Sequence, residues 1–586
     1  MEKQRKPTIK FLFEGQEYDK KEVYDKYLPI NVRSWKFKEN KLDLVGYYVK
    51  GNPDSCQVEL VYFLPKVFVK NEIKKAFGEY EIKKDQPLDV TDIAKEGSDD
   101  DKAIKDMLDI LPVWLGKALS YYRSRKQNSD IVKEVEQEIF LPSDSEHEAT
   151  LTERIYSLED FYMRHKDLVL FIYQQANTGF HKINWSKTIR KKMPVFLDYE
   201  GNLSPVYMET VTRKKTINYD EELMVLFFDT LQYIVNEYNY PIPFESLYEM
   251  TPIEEFKDKV KDELIIPRME EIRNNYFSDQ LTELWNLLYA FHVKNADVTH
   301  GRKEDYMLVN AFHAVFEDMV DSLISDNELL TQKHQADNKR IDHLFLGKSL
   351  FDDSNIYYVA DSKYYLDDDT TKGSSLGKQF TYVNNILQDA MDAFNNDDQA
   401  WKDKGVYYYD PKTEGFNVTP NFFLRGNIPD NSKDLSFDEE QLTSFEMEEK
   451  KFYRERCYHK YRLFDRNTQF LLQYSLNFLF LLKYYNDYNA FERKNLQRKL
   501  ESIVREDMIE RLKEKYEFRI IEDEDKIDKI LKNYFKDVLG RVMCFKNDGE
   551  KSALIFACDK LDENFKKFFD SIIVCQYETA EYKFRT

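Results

Sequence analysis

The sequence predicts a multidomain α/β protein: a β-rich N-terminal module, a central mixed sheet flanked by helices, and a mostly helical C-terminal region. Three observations predict it. A chain of 586 residues exceeds the usual size of one domain. Short β-branched and aromatic runs gather near the N-terminus, whereas helical periodicity prevails after Phe437. Between them, helical, strand, strand and helical patterns follow one another from about 303 to 395, the order of an α/β layer. With 42% hydrophobic and 15% aromatic residues, the chain can build packed cores and is not globally disordered.

The elements read in order as follows. Residues 9–13, 44–49 and 58–63 alternate or run apolar like strands. Residues 102–139, 152–178, 220–238 and 254–299 carry helical spacing, and 183–217 form a small helix-plus-strand, winged-helix-like module. From Tyr306 to Ile324, apolar residues such as Leu308, Phe312, Val315 and Met319 recur at helical spacing, so this segment is expected to be one helix. Residues 343–346 and 356–361 read as two strands joined by a turn at about 347–355, followed by a helix containing Gln379 and Tyr382. The sheet is expected to continue at 405–409 and 422–425. After Phe437 the chain reads as helical to about 538, then as hairpin, helix and strand. These patterns suggest domains at 1–150, 151–255, 256–436 and 437–586.

Chemistry concentrates in the central layer. Strand side chains alternate faces, so Asp361 and Lys363 point the same way and Ser362 points opposite. Asp342 opens the preceding strand, and a hairpin would bring it to the same edge. Glu317 interrupts the apolar face of the helix before them. Three carboxylates suffice for Mg²⁺, with Mn²⁺ able to substitute, and a neighbouring ammonium can orient water and offset phosphate charge. A lone Asp-x-Lys is common in so charged a chain; the strand before it, the second Asp-headed strand and the upstream Glu set this one apart. For Gln379 and Tyr382, one turn apart, a place beside the site and an ordinary amphipathic helix both remain open.

The ordered set Glu317, Asp342, Asp361 and Lys363 resembles the metal-dependent nuclease core of the PD-(D/E)XK type, with Ile341 where a proline often stands. Other stretches narrow the resemblance: LVGYYVKGNPDSCQVELVYFLPKVFV, closing on Pro65 and Lys66; INWSKTIRKKMPVF, with Trp185, Thr188 and Pro194; and NVTPNFFLRG at 417–426. Together, over roughly 40–430, they are similar to the LlaJI-type, McrC-like restriction endonuclease subunits. The resemblance implies an anti-phage deoxyribonuclease that cuts double-stranded DNA. It assigns Asp342, Asp361 and Glu317 to the metal and adds Lys363 and Gln379 as catalytic residues. It also implies a separate AAA+ GTPase or ATPase partner, McrB-like, engaged by the first 150 residues. The alternatives are a stand-alone repair or phage nuclease, and a non-catalytic adaptor with a nuclease-like fold.

A net charge of −21 is awkward for a DNA-binding chain, but the charge is uneven. From Lys182 to Lys215 there are eight Lys/Arg against three Asp/Glu, a local +5. There Lys187, Arg190, Lys191 and Lys192 follow Trp185, as phosphate contacts or as a solvated helix face. Five cysteines without a CxxC pair exclude a zinc ribbon or iron–sulfur cluster and fit a reducing cytoplasm. The longest apolar run, at 476–482, is too short to span a bilayer. Gly347-Lys348-Ser349 imitates a phosphate-binding loop, but Asp342 stands where that loop needs glycine. An NTPase, if required, must therefore be another chain.

Overall fold

The computed structural model describes residues 8–584 except 34–40, 54–55, 71–74, 78–79, 91–98, 129–138, 141–147, 177–181, 219–220, 334–339, 365–372, 429–444, 446, 458, 486, 488 and 547–551. It is a mixed α/β, multidomain chain with several sheets.

The N-terminal strands form as expected: β1 (Thr8–Phe13), β2 (Leu44–Asn52) and β3 (Gln57–Leu64). Helix α1 (Asp99–Asn128) follows, then α2 (Leu151–Arg164). The remainder of the expected 102–139 helix lies outside the described residues, apart from a two-residue strand at Ile139–Phe140. The expected 152–178 helix stops at Arg164, and β4 (Phe171–Ala176) succeeds it. The small module consists of α3 (Trp185–Lys191), a hairpin of β5 (Val195–Tyr199) and β6 (Asn202–Val206), and β7 (Thr212–Ile217). β7 pairs antiparallel with β4, which is why the FIYQQA stretch is strand: its partner lies some forty residues ahead. Then come α4 (Glu222–Tyr238), two short helices, and α5 (Asp279–Thr299).

The segment expected as a single helix from Tyr306 is divided. Residues Asp305–Asn310 form β8, buried along its whole length, and only His313–Ile324 form helix α6. Ala311, at φ 52°, sits between the two. Four adjacent apolar residues, 306–309, suit a strand covered on both faces, and the helical spacing ran into them by coincidence. β8 pairs antiparallel with β2, so the first sheet runs Leu88–Asp89, β1, β3, β2, β8, Ile139–Phe140. Behind it, Asp305 accepts the backbone N–H of Leu151 at 3.0 Å and meets Lys294 of α5 at 3.5 Å. Tyr47 of β2 and Thr150, the N-cap of α2, share a hydrogen bond of 2.7 Å.

The central sheet starts with β9 (His343–Lys348) and β10 (Asn355–Lys363), an antiparallel hairpin. Helix α7 (Gly373–Asn395) crosses over to β11 (Asn421–Asn427), parallel to β10. The expected strand at 405–409 is mostly elsewhere: Tyr409–Asp410 makes a separate hairpin with Gly415–Phe416, and only Val406 bridges to Asn355. Past 436 the described residues are helical over much of 478–538, but the reading missed two strands, β12 (Met447–Arg456) and β13 (Gln469–Asn477), which complete the sheet. The order is β9-β10-β11-β13-β12, with β13 parallel to β11 and β12 antiparallel to β13. All nine residues of β13 are buried, so its sequence lacks the alternation that marks a half-buried strand. A long helix, α8 (Ala490–Lys515), leads to a four-stranded terminal sheet of β14 (Tyr516–Ile521), β15 (Val542–Lys546), β16 (Ser552–Asp559) and Ala580–Glu581. The closing hairpin and helix form as read, but the strand expected at the end of that piece is helical, since Phe569–Val574 continues the turn of Glu563–Phe568, and the last strand, Ala580–Glu581, lies further on. Among the described residues no helix is long and apolar enough to cross a membrane.

Candidate active site

Three elements bring the predicted acids together. In the β9–β10 hairpin His343 pairs with Ala360, so Asp342, one residue earlier, stands opposite Asp361. Burial, and then the neighbouring carboxyl of Asp361 and the charge of Glu317, push the Asp342 carboxyl well up. Asp361 is 3% exposed and ion-paired with Lys363, two residues along the same strand face. Glu317 projects from α6 into the same field. Burial, and then the charge of Asp361, push its carboxyl up to about 7, while Lys363, Arg340 and Lys378 act against the shift.

The face that carries Asp361 and Lys363 continues across the sheet. Asp361 is in register with Phe423 of β11 and through it with Gln473 of β13; Lys363 is in register with Arg425 and Ser475. Lys363 Nζ lies 5.2 Å from the centre of the Phe423 ring. Helix α7 closes this face through Leu376 and Phe380, which cluster with Phe423 and Leu471. The Gln473 and Ser475 side-chain oxygens are buried without a hydrogen bond among the described residues. Gln379 is fully buried in α7, and its Nε2 donates to Asn421 Oδ1 at 2.7 Å. Asn421 is in register with Val359, two residues before Asp361 on the same strand face.

Behind the acids runs a network the sequence did not reveal. Asp321 is one helical turn after Glu317; His343 follows Asp342; Ser362 follows Asp361. These three neighbours meet on the opposite side: His343 Nδ1 lies 3.3 Å from Asp321 Oδ1 and Nε2 lies 2.5 Å from Ser362 Oγ. Burial keeps His343 below its usual range and therefore neutral. The tautomer that satisfies both contacts has Nδ1–H donating to Asp321 and Nε2 accepting from the Ser362 hydroxyl. Burial alone would raise Asp321, but the bond from His343 and the Lys333 ammonium hold it below the carboxylate range. Lys333 also donates to the backbone carbonyl of Asp342 at 3.2 Å. His343 is 0% and Ser362 5% exposed, so this is a brace and no nucleophile. The only sequence signal was adjacency, polar residues next to each acid.

The Pro65–Lys66 turn reaches the site from the N-terminal sheet. The Lys66 backbone N–H points at Glu14 Oε2 and at the Tyr364 hydroxyl, each at 3.2 Å. Tyr364, next after Lys363, donates to Glu14 Oε2 at 2.5 Å, and Lys66 Nζ lies 4.5 Å from its ring centre. Phe312 and Phe316, at the start of α6, pack on the same ring at 5.5 and 5.6 Å.

Among the described residues no group of three or more His, Cys, Asp or Glu is already spaced to hold a metal ion. The chemistry of the donor set nevertheless suits a hard divalent cation: oxygen ligands only, and carboxyls made reluctant to ionise by one another. The basic residues belong to other elements. Lys187, Arg190 and Lys191 sit on α3 and Lys192 caps it, ion-paired with Glu209; Trp185 beside them is 54% exposed. Thr188 is buried, and its hydroxyl accepts the Val211 N–H at 2.9 Å, fixing α3 to the strand that follows. No family model, no curated protein and no solved structure matches this chain.

Proposed function

We propose that the chain is a Mg²⁺-dependent deoxyribonuclease subunit that works with a separate NTPase motor. One observation carries the reading: α6, β9 and β10, from three parts of the sequence, place Glu317, Asp342, Asp361 and Lys363 in one electrostatic field. Glu317, Asp342 and Asp361 would hold the ion, which when bound polarises the phosphate and lowers the pKa of a water. The protein's own groups do the rest. Lys363, ion-paired with Asp361 on the same strand face, would face the phosphate and offset its developing charge. Arg425, one strand over on the same face, is placed to bind a neighbouring phosphate oxygen. The His343 brace holds all three acid-bearing elements in one arrangement.

Dependence on a motor is supported by the Lys66–Glu14–Tyr364 contact, which ties the N-terminal sheet to the strand bearing Lys363. The test is cleavage of duplex DNA with Mg²⁺ by the purified chain, alone and with the NTPase encoded beside it, with hydrolysable and non-hydrolysable nucleotide. Cleavage is expected only with the NTPase and hydrolysable nucleotide, and Lys363→Ala should slow it roughly 100-fold or more. Equal cleavage in all conditions would favour a stand-alone nuclease. A complete system that never cuts would favour the adaptor.

A further inference from the structure

Half of the exposed large apolar side chains among the described residues, nine of eighteen, fall between Trp185 and Met208. That stretch lies inside the +5 segment of a chain whose net charge is −21. The hairpin of β5 and β6 holds most of them. Its register sets Val195 against Val206 and Phe196 against Pro205, so Val195, Leu197 and Val206 share one face and Phe196, Pro205 and Leu203 the other. Both faces are exposed: Phe196 61%, Leu197 53%, Leu203 70%. A bare two-stranded ribbon is marginal in water, and apolar residues on both of its sides go uncovered unless it enters something with two walls. Its base is firm. Trp185 packs on Tyr207 with ring centres 6.4 Å apart, and Thr188 is bonded to Val211, so the ribbon projects between basic α3 and basic β7.

We propose that this ribbon enters the major groove of double-stranded DNA while Lys187, Arg190, Lys191 and Lys192 hold the flanking phosphates. The major groove admits a two-stranded ribbon, its thymine methyls offer apolar contact on either side, and its walls are lined by phosphate. Charge decides between this occupant and a protein groove, because cations at the ribbon's base face outward in an otherwise acidic chain. Asp198 and Glu200 at the tip fit only deep in the groove, away from the backbone; there an acid accepts from cytosine N4. Asp198 already accepts the N–H of Gly201 at 3.0 Å, which fixes the turn.

The proposal rests on the reading that the substrate is duplex DNA, and its test reads binding alone. Anisotropy of a labelled duplex is measured at several salt concentrations with full-length protein carrying Asp361→Ala. Adding Phe196→Ser and Leu203→Ser is expected to weaken binding about tenfold with an unchanged salt slope, since no charge is lost. Adding Lys187→Glu, Arg190→Glu and Lys191→Glu is expected to weaken it further and flatten the slope by about three. These side chains are mostly exposed, and an unchanged melting curve checks that the fold survives. Ribbon variants that bind DNA like the parent would overturn the proposal, as would a parent that binds no duplex. Loss of NTPase binding in those variants with DNA binding intact would make the ribbon a protein dock. Because no cleavage is read, failure of the nuclease assignment leaves the result standing.

Discussion

At the residue scale, Glu317 is the most exposed to test. Its ordinary value is 4.5, and in the fold burial and Asp361 lift it to about 7. The folded state therefore holds this proton more tightly than the unfolded chain does. Stability drawn from the proton is full below about 4.5 and is lost as pH rises toward 7. Glu317→Gln keeps the shape and removes the titration. Without divalent ions it is expected to raise the melting temperature at pH 8, by on the order of 1 kcal/mol of stability, and to change little at pH 4.5. Equal melting of both proteins at pH 8 would place Glu317 outside the cluster. The acids themselves were legible in the sequence because each sits at the edge of an apolar run. The bond from Gln379 to Asn421 was not legible, because it depends on a strand that starts about forty residues later.

At the scale of elements, the sequence recovered those whose pattern is self-contained. The β9–β10 hairpin, the N-terminal strand pair and the terminal hairpin all formed near their expected positions. The failures share one cause. β4, β8 and β13 are strands because distant partners pair with them, and in β8 and β13 burial on both faces also erases the period-two signal. The brace beneath the acids is likewise a property of elements together, linking α6, β9 and β10 through Asp321, His343 and Ser362. Ser362→Ala removes one neutral hydrogen bond, so stability is expected to fall by only about 1 kcal/mol. Groups that orient ligands usually matter more to affinity than to folding, so Mn²⁺ binding is expected to weaken about tenfold or more. Calorimetric titration of Mn²⁺ checks this, and unchanged affinity would make the network merely structural.

For the whole molecule, buried polar contacts join parts far apart in sequence. Asp305, at 0% exposure, meets Lys294 of α5 and the N-terminal N–H of α2. Burial lifts its carboxyl to about 6 even against Lys294. Asp305→Ala would leave the Lys294 ammonium buried and unpaired, at a cost of about 3–5 kcal/mol; thermal or urea unfolding measures it, and a loss under about 1 kcal/mol would show that the pair is not structural. No sequence pattern announced this pair, since its members are read apart from the helix end that needs them. Glu317, Asp342 and Asp361 are proposed to form a divalent-cation site. The most direct measurement is calorimetric titration of Mn²⁺ into the purified chain and into Asp361→Ala at pH 8. Saturable one-site binding by the parent, lost in the variant, is expected; equal uptake by both, or none by the parent, would contradict it.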